Sequence, residues 1–161
     1  MPPKERIVDG KTFSYTGLID FQSFYKSMKE FWDNKGFDFF ENKHEEKVKD
    51  DGSRSISLEW HTEKKITDYV TYSYDISISI DTLKLLDNMK QYAENLNIKI
   101  NGDLITDYQK YFGDKPFNIF LRGLFEKYLY DSELKDHKKN VGKIAEEFLN
   151  LAKDFTASFK L

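Results

Sequence analysis

The chain has 161 residues, the length of one domain and enough to bury a core without staples, and with no cysteine it excludes disulfide frameworks, thiol catalysis and cysteine-ligated zinc. Its 25 basic and 28 acidic residues leave a net charge of −3, so no overall field draws nucleic acid or an anionic membrane. Only Arg6, Arg54 and Arg122 are arginines, the side chain best suited to bidentate phosphate recognition, so no nucleic-acid partner is expected.

Hydrophobic residues make up 39% of the chain but aromatics reach 16%, so a few large rings must do much of the burial. Met1 to Arg6 holds two prolines and several charges, and residues 1–5 read as a loose end. No apolar run approaches the roughly 20 residues that span a bilayer, and the expectation is a soluble cytoplasmic protein folded as a single domain over 1–161.

Ile7 and Val8 look extended, Asp9-Gly10 gives a turn signal, and Thr12 to Ile19 alternates with Phe13 and Tyr15 on one side. Asp20 stands where an N-cap belongs. Phe21, Phe24, Tyr25, Met28, Phe31 and Trp32 then recur at helical spacing, and Gly36 closes the helix as its C′ residue. Phe37 to Phe40 predicts a strand, and the charged run to Lys49 predicts either an exposed hairpin arm or a protected sheet edge. Asp50-Asp51-Gly52 predicts the turn, and Ile56, Leu58 and Trp60 alternate with Ser57, Glu59 and His61 in the returning strand. A polar link is expected around Glu63 to Asp68.

Val70 to Ile80 has the strongest pattern. Val70, Tyr72, Tyr74, Ile76, Ile78 and Ile80 share one side of a strand, while Thr71, Ser73, Asp75, Ser77 and Ser79 share the other. Residues 83–96 predict a short helix or irregular crossing, with a continued strand as the competing reading. Leu96, Ile98 and Ile100 alternate again, and Asn101-Gly102 offers a tight hairpin or a bulge before Leu104 to Tyr108; Asp103 and Asp107 read as solvent-facing strand ends. After Gly113 to Pro116, apolar residues from Phe117 to Leu129 repeat at three and four, and a near-heptad pattern from Glu133 to Phe159 predicts a long terminal helix.

This order predicts an α+β fold: a curved antiparallel β-sheet with one helix after the first strand and a long C-terminal helix packed on the sheet. The order resembles the helix-grip fold of START and Bet v1-like proteins, although one helix follows the first strand here where that family has two. The resemblance implies an apolar cavity between sheet and terminal helix. The stretch Gly102-Asp103-Leu104-Ile105-Thr106-Asp107-Tyr108 is similar to segments of small archaeal proteins and implies no activity.

No motif fixes a reaction, and no catalytic residue, metal site or cofactor is expected. The three histidines His44, His61 and His137 lack metal-ligand spacing. Glu59 and His61 share a strand face that Asp75 or Ser73 can join; an enzyme using that face ranks below two binding readings. The tyrosines Tyr69, Tyr72, Tyr74, Tyr92, Tyr108 and Tyr111 are the most suggestive feature, because buried hydroxyls need partners in a partly wet cavity or at an interface. The first reading is a small binding protein that holds an apolar or amphipathic small molecule in a pocket of at least about 300 Å3. Its expected lining is Trp60, Tyr72, Tyr74, Ile76, Phe148 and Phe155. The second is a non-enzymatic interaction or structural module that uses a sheet edge or aromatic surface to bind a protein partner or to self-associate as a homo-oligomer.

Overall fold

A computed structural model of the protein describes residues 4–106, 116–124 and 131–159. Five strands, β1 (Lys4–Ile19), β2 (Asp38–Val48), β3 (Arg54–Thr67), β4 (Val70–Leu85) and β5 (Gln91–Thr106), form one antiparallel sheet in the order β1-β5-β4-β3-β2. Helix α1 (Phe21–Asn34) carries the chain from the β1 edge to the β2 edge; α2 (Pro116–Leu124) and α3 (Asp131–Ala157) follow the sheet. The protein is therefore α+β, with the long C-terminal helix packed on the sheet as its pattern predicts. None of the described helices is long and apolar enough to cross a membrane.

The β4 alternation sets the layers. Its six even residues from Val70 to Ile80 are all buried, and the β5 partners of the last five, Leu104, Gly102, Ile100, Ile98 and Leu96, are buried with them. Opposite lie Trp60, Leu58 and Ile56 on β3. Helix α3 covers this inner face over β1 and β5, while α1 packs beside β2 and against α3. Register shifts in β1, β2 and β3 mark places where the strands bend and twist more strongly.

Local chemistry fixes α1 at both ends. Asp20 accepts the Ser23 amide through Oδ1 at 3.3 Å and the Ser23 hydroxyl through Oδ2 at 2.8 Å. At the other end Gly36 takes φ +81°, its amide donates to the Asp33 carbonyl, and the Phe37 amide donates to the Trp32 carbonyl, each at 3.0 Å. These are the paired bonds of a Schellman stop, and its apolar contact is present as Phe37 against Trp32, ring centroids 5.1 Å apart. On α3, Val141, Ala145, Phe148, Leu149 and Ala152 form the buried stripe.

Several expectations are corrected. Residues 83–96 form no helix: β4 runs to Leu85, a tight turn spans Leu86 to Lys90, and β5 begins at Gln91. Helical spacing misleads there because the pleat slips. Burial passes from Ile80 to Leu83 on β4 and from Leu96 to Ala93 on β5, around Asn95, which takes φ +54° while its side-chain amide donates to Asp81. Asn101-Gly102 makes no turn and lies inside β5; the bulge sits opposite, where Asp9 and Gly10 fall between the paired residues Val8 and Lys11. Strand β3 continues through the expected polar link to Thr67, and the charged run of β2 is a sheet edge. Lys4 and Glu5 are no loose end, because they pair with Ile105 and Leu104. Asp103 is buried rather than solvent-facing and binds Arg6 at 3.0 Å and Lys4 at 3.3 Å. Residues 1–3, Asp107, Tyr108, Tyr111, Gly113 to Lys115 and the helical expectation over 125–129 lie outside the described residues.

Candidate functional site

The six residues expected to line a ligand pocket lie in different surroundings. Tyr74 and Phe148 meet at the centre of the sheet-helix layer, where Trp32 packs against both at 4.9 and 5.2 Å between ring centroids. Phe37 and Phe31 close the same cluster. The Tyr74 hydroxyl donates to the Val141 carbonyl of α3 at 2.7 Å, and burial drives its pKa far up. Tyr72 meets His137 Nδ1 through its hydroxyl at 2.6 Å. Both tyrosines therefore find on α3 the partners that a wet cavity or interface was expected to supply. Ile76 is buried in the same layer.

Trp60, the cross-strand partner of Ile76, packs under Tyr25 of α1 and Phe39 of β2. Its indole N–H donates at 2.9 Å to Glu41, which also accepts the Tyr25 hydroxyl at 2.6 Å through the same oxygen. His44 Nδ1 reaches the other oxygen at 3.1 Å. Desolvation pushes the Glu41 pKa up, but the bonds from Tyr25, Trp60 and His44 outweigh it and the carboxyl stays below its ordinary value. Burial, with the Glu41 bond added, pushes the Tyr25 hydroxyl up to about 12. Glu41 stands two residues after Phe39 and opposite Trp60, so alternation alone places it on the inner side, and the register shift between Glu41 and Lys43 brings His44, opposite Leu58, to the same side.

Phe155 is half-buried and bridges two environments. It packs on Phe24 at 5.6 Å and on Phe159 at 5.6 Å, and Phe159 opens onto a groove. This groove has a volume of about 600 Å3 and lies at the end of the sheet-helix layer. One wall is the β1–α1 corner, with Leu18, Ile19, Asp20 and Gln22; another is the β4–β5 hairpin, with Leu85, Met89, Lys90 and Gln91. Ser158 and Phe159 beyond α3 complete it. Of its apolar lining, Leu85 is 58% and Met89 75% exposed. Gln91 Oε1 accepts the Phe21 amide at 2.9 Å, which ties the hairpin to the first turn of α1 and holds the two walls together. None of the six residues expected from sequence lines this groove, although Phe155 touches one that does.

On the outer face His61 meets Asp75 as expected, but the second carboxylate at its ring is Glu63, and Glu59 lies across from Ser77. His61 is the cross-strand partner of Asp75 and bonds it through Nδ1 at 2.8 Å, while Nε2 faces Glu63 at 3.3 Å. Desolvation pulls the His61 pKa down, but the two carboxylates overcome it and raise the value. With a carboxylate at each ring nitrogen, the arrangement favours the protonated ring. Among the described residues no group of three or more acidic or histidine side chains is placed to hold a metal ion. Comparison with known protein families, curated proteins and solved structures finds no match to this chain.

Proposed function

We propose that the protein is a small-molecule binding protein that takes an apolar or amphipathic ligand in the groove between the end of the sheet and the end of α3. The observation that carries this reading is the groove itself. It has a ligand-sized volume of about 600 Å3, and Leu18, Ile19, Leu85, Met89 and Phe159 give it apolar walls. The element order, an antiparallel sheet with a C-terminal helix packed on it, resembles the helix-grip arrangement and supports the reading as analogy. Phe155, packed on Phe24 and on Phe159, ties the groove wall to the core.

A neutral apolar dye such as N-phenylnaphthylamine tests this. It is expected to bind at one saturable site, with its fluorescence rising, and Leu85→Glu is expected to abolish that site without unfolding the protein because Leu85 is exposed. Absence of saturable binding, or binding indifferent to Leu85→Glu, overturns the reading. The second reading, a protein-interaction or self-association module, is favoured by α2, whose Phe117 and Phe120 are 69% and 61% exposed and line up with exposed Leu121 and Leu124. It predicts a concentration-dependent oligomer in sedimentation that Phe117→Glu dissolves.

A further inference from the structure

The polar side chains along the groove are not equivalent. Asp20 is an anion at the α1 end of the groove, and both its carboxylate oxygens accept bonds from Ser23 in capping α1. Gln91 is committed through its Oε1 to the Phe21 amide. Lys90 is the exception. Its backbone amide is taken by Asn88 Oδ1 and its carbonyl by the Leu86 amide, yet its ammonium has no ion-pair or hydrogen-bond partner among the described residues. The turn that presents Lys90 is also strained. Met89 takes φ +68°, the left-handed position of a three-residue hairpin loop that glycine or asparagine fills at lower cost. A flexible thioether held there lies along the groove wall beside the free cation.

Resting on the groove reading above, we infer that the ligand is a free single-chain amphiphile with one anionic head, such as a carboxylate. Its chain lies along Leu18, Ile19, Leu85 and Phe159, its head pairs with the Lys90 ammonium, and Met89 folds over the junction between the two. An ion pair at the surface adds little by itself, so the apolar walls supply most of the affinity and Lys90 supplies the choice among heads.

The test compares decanoate, decanol and decyltrimethylammonium as displacers of the neutral dye on the wild type, Lys90→Gln, Lys90→Arg and Leu85→Glu. Decanoate is expected to bind about three- to fivefold more tightly than decanol, and the quaternary ammonium more weakly than either. Lys90→Gln should equalise decanoate and decanol, and Lys90→Arg should restore the preference. If decanoate and decanol displace the dye equally from the wild type, or if Lys90→Gln leaves their ratio unchanged, the anionic-head inference falls and the groove reading stands. If no displacer competes and Leu85→Glu has no effect, both fall.

Discussion

The two ends of the sheet-helix layer differ in how completely they are filled. At the centre, Trp32, Phe37, Tyr74 and Phe148 pack ring on ring, and the Tyr74 hydroxyl is pinned to the backbone of α3. At the far end, Leu85 and Met89 stand largely exposed around a groove of about 600 Å3. Both ends are built from the same strands and the same two helices. The difference lies in side-chain size where the layers meet, and in where α3 stops: the helix ends at Ala157, and Ser158 and Phe159 beyond it line the groove. Stability is thus concentrated at one end and accessible apolar surface at the other.

Substitutions at the two ends should separate accordingly. Trp32→Ala removes the ring that four other rings contact, and is expected to cost about 3–5 kcal/mol in urea unfolding. Leu85→Ser, at the open end, should stay within about 0.5 kcal/mol of the wild type. Equal losses at both positions would mean that the groove is part of the cooperative core.

Gly102 sharpens the same contrast within the filled end. A Cβ there would lie 2.9 Å from Tyr74 Cε1 and 3.1 Å from Val141 Cγ1, and the Tyr74 ring cannot yield without breaking its bond to α3. Gly102→Ala is therefore expected to cost about 1–3 kcal/mol. Gly142, one residue along α3 from Val141, has nothing within 4 Å of the corresponding position. Gly142→Ala should stabilise by about 0.5–1 kcal/mol through helix propensity alone, and a thermal melt distinguishes the two signs.

The polar clusters outside the layer's centre give opposite pH dependences. Glu41 has its folded pKa below the ordinary 4.5, so its contribution is present above that value and is lost as pH falls through the folded pKa. His61 has its folded pKa above the ordinary 6.5, so its contribution is complete below 6.5 and is lost as pH rises through the folded pKa. Unfolding followed against pH should show Glu41→Gln flattening the acid limb and His61→Gln flattening the neutral limb. If each variant altered the limb assigned to the other, the two networks described here would be wrong.

The filled end was largely legible in the sequence, because alternation on β4 and the apolar stripes of α1 and α3 are period signals that tertiary packing leaves intact. Asp20 and Gly36 were legible for the same reason: a cap is local chemistry. The open end was not. It is made from the ends of elements, with Leu18 and Ile19 closing β1, Gln22 opening α1 and Phe159 beyond α3, and no spacing rule joins residues 18, 85 and 159. The slip at Asn95 hid the hairpin as well. Moving the buried side from Ile80 to Leu83 produces a three-residue step that imitates a helix within a strand pair. Tyr72 and Tyr74 carried a real signal of buried hydroxyls, but periodicity could not tell the His137 ring and the Val141 carbonyl from a wet cavity.

The smallest expected effect bears most directly on what the open end is for. Met89 keeps a left-handed φ of +68° at the hairpin tip, which costs a non-glycine residue about 1 kcal/mol. It is 75% exposed, so removing its side chain sacrifices little packing. Met89→Gly is therefore expected to leave the fold as stable as the wild type or up to about 1 kcal/mol more stable, the relief of strain being partly offset by the greater freedom of glycine in the unfolded chain. If Met89 serves the groove, the same substitution weakens binding of the neutral dye severalfold, so stability and affinity move apart. A variant that gains stability and keeps full affinity would show that the methionine adds nothing to the groove wall, and the hairpin would then be a simple connection between β4 and β5.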